Sequence, residues 1–156
     1  MRIIFLVLLL CASVSEAKSE PVNIAAAMVG MDEHNDRVPL KRFIGVDPTQ
    51  YAWCAAFVNA ILHLHNIPGS ESVSEYPLTA RSFLRWGKEV DEPQKGDVVI
   101  FPRGREGWQG HVGFYIETQI VDGVENYLIL GGNQNDSVSY DLYPADKALG
   151  IRRFIQ

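Results

Sequence analysis

The stretch Trp53-Cys54-Ala55-Ala56-Phe57-Val58, continued by Asn59 to Leu64, decides how this chain is read. Small and bulky apolar residues fill nearly every position from Ala52 to Leu62, so a helix here has no wide polar face and runs through the interior of a domain. It carries one thiol near its front end. If Cys54 lies in the first turn, unpaired backbone N–H groups and the positive end of the dipole favour the thiolate, the nucleophilic form of cysteine. The alternative is a free cysteine that fills core space. Two local signals disagree about the helix start. Asp47-Pro48-Thr49-Gln50 resembles a capping box with Pro at the first helical position, which starts the helix at Pro48 and pushes Cys54 into the second turn. A reactive Cys54 prefers a break near Tyr51. The helix ends about His65, before Asn66 and Pro68-Gly69.

Upstream, one basic residue precedes a short apolar run, Ile3 to Leu10, and Ser15 and Ala17 supply small residues at signal-peptidase spacing. Residues 1–17 therefore read as a secretory signal peptide, too short to span a bilayer, cleaved after Ala17. Cys11 as a lipidated cysteine fits less well, because Leu10 stands where such sites want a small residue. Of the 156 residues, 47% are hydrophobic, which suits one domain over 18–156 with a single core. Cleavage removes one charge of each sign, Arg2 and Glu16, so the mature chain keeps the net charge of −5. That balance argues against a general nucleic-acid binder. It also leaves Cys54 as the only thiol, sequestered, paired with another chain or retained for reactivity.

Helices are expected first and strands after. Pro21 to Gly30 reads as a short helix, Pro39 to Val46 as a second helix or turn, and Leu78 to Trp86 as another short helix. Asp32 to Asp36 is an acidic loop that fails the calcium template, since Arg37 stands where the turn needs Gly and no Glu closes the loop. Val98 to Phe101 is a buried strand, and a strand from His111 alternates as if one face met the core. Asp122-Gly123 makes a hairpin to Tyr127–Leu130, after which Gly131 to Asp136 interrupts the sheet. Ser137 to Tyr143 and Gly150 to Ile155 are further strands. This order is that of an α+β domain, with helices packed on one side of a curled sheet.

A nucleophilic cysteine needs a base, usually histidine, and a third polar group that fixes the ring. His63 and His65 lie on the helix of Cys54, roughly 13 to 16 Å along it, too far to serve. His34 has no apolar frame. His111 remains, flanked by Gly110 and Gly113, which allow close approach of another element. Its plainer reading is an ordinary strand histidine. Asn133 follows a neighbouring strand and has an amide oxygen that could accept from the imidazole; Gln134 competes with it, and Gly131-Gly132-Asn133 also fits a simple turn.

Trp53-Cys54-Ala55-Ala56-Phe57-Val58-Asn59, Ala80-Arg81-Ser82-Phe83-Leu84-Arg85-Trp86-Gly87, Gly96-Asp97-Val98-Val99-Ile100-Phe101, Gly110-His111-Val112-Gly113-Phe114-Tyr115 and Gly131-Gly132-Asn133-Gln134 occur together and in order. They resemble the NlpC/P60 and CHAP superfamily of papain-like cysteine peptidases and amidases, most closely its small single-domain bacterial and phage-associated branch. The resemblance covers about Ala25 to Arg152. It implies a papain-like fold and a hydrolase that cuts an amide bond in the peptide part of peptidoglycan, with Cys54 as nucleophile, His111 as base and Asn133 orienting the ring. Many NlpC/P60 members have a second histidine as third residue. None follows His111 here, which brings the chain closer to the CHAP and papain pattern.

The resemblance also implies an oxyanion donor ahead of the nucleophile, for which Gln50 and Tyr51 are the nearby side chains, beside the Cys54 N–H. Arg81 and Ser82 have no assigned chemistry. The expectation is a secreted or periplasmic monomer acting on a peptidoglycan stem peptide, with no cofactor, metal, nucleic acid or membrane span; an inhibitor protein is left open. The competing readings are a catalytically silent wall-binding module of the same fold and a Cys-His acyltransferase or transglutaminase.

Overall fold

The computed structural model of the protein describes residues 20–155. The expected signal peptide, with Cys11, lies outside them. Helix α1 (Pro21–Ala27) begins on Pro21 and buries Val22 and Ala25. Helix α2 (Arg37–Ile44) begins two residues ahead of Pro39, which sits in the first turn, where its missing N–H costs nothing. Gly45, at φ 78°, ends it.

Helix α3 (Cys54–Leu64) starts at Cys54 itself, so the capping box does not form. The carboxylate that would have capped is engaged elsewhere. Asp47 accepts from Arg37 Nε and Nη2 at 2.9 and 2.7 Å and from Lys41 Nζ at 3.1 Å. It also accepts from the Thr49 hydroxyl, while its carbonyl receives the N–H groups of Gln50 and Tyr51 and closes one isolated turn. The chain then restarts as a helix after Trp53. The first six residues of α3, together with Ile61 and Leu62, are buried, as an all-apolar helix requires. The helix expected over Leu78–Trp86 is a shorter 3₁₀ segment, Ala80–Arg85, next to which Trp86 donates to the Pro68 carbonyl.

Among the described residues the strands are β1 (Lys88–Glu89), β2 (Val98–Pro102), β3 (Gly110–Val121), β4 (Val124–Gln134), β5 (Ser137–Pro144) and β6 (Gly150–Arg153). They form one antiparallel sheet in the order β1-β6-β2-β3-β4-β5. The molecule is thus α+β. Asp122 and Gly123, both at positive φ, turn β3 into β4 as a tight hairpin demands.

Strand β3 was expected to bury one face and instead buries both from His111 to Tyr115. Val112 and Phe114 join the core under the helices, with Phe57, Ile61 and Leu130. On the other face Tyr115 packs with Val99, Phe101, Tyr127, Ile129 and Ile151. That second cluster exists because the sheet curls. Phe101 of β2 stacks on Tyr143 of β5, ring centroids 4.7 Å apart, although β3 and β4 lie between them in the sheet.

The sheet is not interrupted at Gly131. Strand β4 runs on to Gln134, but its register against β5 shifts, with Gly131 opposite Ser139 and Gln134 opposite Ser137. Three steps on β4 match two on β5, so one residue is extra, as in a β-bulge, and Asn133 takes a left-handed φ of 58°.

Candidate active site

The amides of Cys54, Ala55 and Ala56 precede the first helical hydrogen bond, Phe57 N–H to Trp53 C=O at 2.9 Å. No side chain caps this end. The thiol therefore sits at a helix front whose N–H groups are free of helical acceptors. Cys54 is only 3% exposed, and burial pushes its thiol above the ordinary range. The Arg103 charge and the N–H groups of Val112, Ala55 and Cys54 oppose that rise. Since Val112 follows His111 on β3, the thiol lies beside the strand that bears the imidazole.

His111 is 1% exposed and its Nε2 meets Gln134 Oε1 at 2.8 Å. Tyr143 stacks on the ring, centroids 5.2 Å apart and planes within 16°, and its hydroxyl donates to the same Oε1 at 3.3 Å. The other end of the amide is fixed as well. Gln134 Nε2 lies 2.7 Å from the Ser139 carbonyl and 3.4 Å from that of Ile129. Carbonyl oxygens only accept, so the NH₂ group must face them and the oxygen must face the ring. His111 therefore donates from Nε2 and, when neutral, carries its lone pair on Nδ1. That nitrogen is buried and makes no hydrogen bond to any described group, the thiol included. Burial first, then the Arg103 charge, lower the imidazole to about 3, against the hydrogen bond to Gln134. Both shifts favour the neutral form of their group.

Asn133, expected as the partner of the ring, is not its partner; Gln134 is. The bulge supplies the reason. Gly131 lies on the His111 face of the sheet, since a Cβ there would fall 3.3 Å from His111 Nε2. In a regular strand Asn133 would share that face, two residues on. The extra residue shifts the alternation by one and puts Gln134 there instead. Gly132 faces the helix, where a Cβ would stand 2.5 Å from the Trp53 ring and 2.8 Å from Phe57 Cβ. A glycine at 132 is what lets the front of α3 seat directly on β4.

A family model described as CHAP domain matches residues 46–133, more than half of the chain. The chain belongs to the CHAP family. Comparison with curated proteins gives no match. CHAP domains are in general cysteine hydrolases or amidases of peptidoglycan. The match spans Cys54 and His111 and stops one residue short of Gln134.

The remaining sequence candidates of this CHAP domain lie elsewhere. Gln50 and Tyr51 occupy the exposed turn before α3. His63 pairs with Glu71 at 2.8 Å, His65 Nδ1 meets the Ile61 carbonyl at 3.0 Å, and His34 is exposed. Other shared motifs serve the frame. Asp97 is held by Arg153 through two hydrogen bonds of 2.8 and 2.7 Å, and Asn59 ties Ser70 and the Pro77 carbonyl to α3. Arg81 Nε donates to the Gln109 carbonyl at 2.8 Å and so steadies the chain entering His111; Ser82 bonds only the Thr79 carbonyl.

Two residues of the CHAP domain's site gave no usable sequence signal. Tyr143 reads as one more strand aromatic, yet the curl places it over His111. Arg103 opens a charged Gly-rich loop, Arg103 to Gly107, to which the sequence assigns no role, yet its Nη1 donates to the Asn133 carbonyl at 3.1 Å. Ligand atoms of Glu33, His34 and Asp136 lie within 4.8 Å of one another, a juxtaposition that the acidic loop's spacing does not reveal. Glu33 also accepts from Trp53 Nε1 at 3.0 Å, and the carboxylate of the neighbouring Asp32 is occupied by the amides of His34 and Asn35. No helix among the described residues is long and apolar enough to cross a membrane.

Proposed function

We propose that the protein is a secreted cysteine hydrolase that cuts an amide bond in the peptide part of peptidoglycan, with a papain-like arrangement of Cys54, His111 and Gln134. The observation that carries this reading is the fixed tautomer of His111. Its Nε2–H is committed to Gln134, and its free Nδ1 lone pair is borne on the strand beside a helix-leading thiol.

In the proposed reaction His111 Nδ1 takes the proton of Cys54 Sγ as the sulfur attacks the carbonyl carbon. Charge develops on the carbonyl oxygen at the front of α3, where the Cys54 N–H is available to it. The C–N bond then breaks, and the amine leaves with the proton held on Nδ1. Water, deprotonated by the same nitrogen, hydrolyses the thioester and regenerates the thiol. Gln134 acts through the ring, because its amide keeps Nδ1 as the basic nitrogen throughout. Contact shorter than that of the free state, brought about by substrate, is normal for such pairs.

Purified mature protein incubated with peptidoglycan should release new amines, and Cys54→Ala should release none. Equal release by both would remove Cys54 from the mechanism. Binding without release would favour a silent wall-binding module, and a product with a new amide bond would favour an acyltransferase.

A further inference from the structure

Arg103 is half-buried at the end of β2 and bridges two parts of the site. It donates to the Asn133 carbonyl on the bulge, one residue from the Gln134 side chain that holds His111, and its charge acts on the Tyr143 hydroxyl that shares that Gln134 oxygen. The bulge it clamps carries Gln134 against His111 and Gly132 against Trp53, so Arg103 joins the strand that lines the reacting pair, and its charge acts on both Cys54 and His111. Arg37, Arg152 and Arg153 each face a carboxylate, of Asp47, Glu89 and Asp97. Arg103, like Arg42, Arg81, Arg85 and Arg105, has no ion-pair partner among the described residues. A guanidinium has five N–H donors in a planar fork, and the bond to Asn133 leaves part of the fork free. A partly desolvated cation without a counter-ion is costly, and an entering anion relieves that cost. The uncapped front of α3 adds positive potential in the same place, within a chain of net charge −5.

We infer that Arg103 binds a carboxylate of the substrate beside the Cys54 thiol, so that the amide cut is one flanked by a free carboxylate on the peptide. The inference rests on the hydrolase reading above for its substrate, and its site can be tested without that substrate. Guanidinium and carboxylate match as a two-bond pair, which would fix the scissile carbonyl relative to Sγ. A clamp for the Asn133 carbonyl alone would need neither the charge nor the free donors.

The test is alkylation of Cys54 in the native protein by iodoacetate and by iodoacetamide, an anionic and a neutral reagent of nearly equal size. Both consume the same thiolate, so the ratio of their rates, divided by the ratio for a free thiol, cancels changes in thiol acidity. In the wild type this ratio should exceed one by about fivefold, roughly 1 kcal/mol. Arg103→Gln should remove most of that preference, Arg103→Lys should retain most of it, and salt should weaken it in the wild type. An unchanged ratio in a folded Arg103→Gln protein overturns the inference, and so does a salt-independent ratio should that variant not fold. Failure of either reagent to label native Cys54 also overturns it, since no anion then reaches the site. A wild type that discriminates between the reagents but releases no amine from peptidoglycan would remove the hydrolase reading and leave the anion site standing.

Discussion

Replacing Gln134 with alanine removes the acceptor of His111 Nε2, the donor to the Ser139 carbonyl and the acceptor of the Tyr143 hydroxyl in one step. His111 and Gln134 are each 1% exposed, so water does not readily take over these bonds. One buried N–H left unpaired costs about 1–3 kcal/mol, and the vacated volume adds to it, giving a destabilisation of about 2–4 kcal/mol. The ring also loses what fixes its tautomer, which should lower kcat/KM by about 10- to 100-fold. The control is Asn133→Gly, which keeps the left-handed backbone and the carbonyl that Arg103 uses while deleting only the side chain. It should stay within about threefold of wild type, an effect of under about 1 kcal/mol. Urea unfolding gives the stability of both variants, and amine release from peptidoglycan fragments gives the rates. Nitrogen-15 NMR of the His111 ring should show the proton on Nε2 in the wild type and a mixture of tautomers in Gln134→Ala. The reasoning is refuted if Asn133→Gly loses more activity than Gln134→Ala, or if the wild-type ring is protonated on Nδ1.

The folded-state value of His111 lies near 3, below the ordinary 6.5, so between those limits the unfolded chain binds a proton that the native chain does not. Stability should therefore rise with pH across that window, and thermal melts of His111→Gln should show a shallower slope there than wild type. Because the thiol is held above its ordinary range by burial, Cys54 alkylation by iodoacetamide should still be rising at pH values where a free thiol has levelled off. Gly132→Ala would drive a methyl into Trp53 and Phe57 and should cost about 1–3 kcal/mol in chemical unfolding. Asp97→Ala removes both hydrogen bonds that the Arg153 guanidinium makes to Asp97 and should lower the urea midpoint, while the Cys54 alkylation ratio stays at its wild-type value.

The parts of this fold that a sequence displays are those set by local pattern. The apolar run of α3, the Asp122-Gly123 hairpin and the buried strand at Val98 carry their own periodicity or turn chemistry, and they stand where that chemistry puts them. The helix start was ambiguous because Asp47 has two possible uses, and only the folded chain brings Arg37 and Lys41 to its carboxylate. Asn133 against Gln134 turned on a single extra residue in β4. A bulge leaves no clear mark in Gly131-Gly132-Asn133, where a turn and a bulge demand the same residue types. Tyr143 and Arg103 join the site through sheet curl and through a loop, long-range consequences that no spacing encodes. Cys54 and His111 stand out as candidates for a different reason, because each is singled out by elimination among few residues of its type.

The central claim, that Cys54 cleaves an amide bond in the peptide part of peptidoglycan, is tested most directly by mass spectrometry of peptidoglycan treated with wild type and with Cys54→Ala. The account predicts that only the wild type yields fragment pairs separated at one peptide amide, each pair gaining the mass of one water, with a free carboxylate next to the cut. Identical fragment spectra from the two proteins, or fragments cut only within the glycan strand, would contradict it.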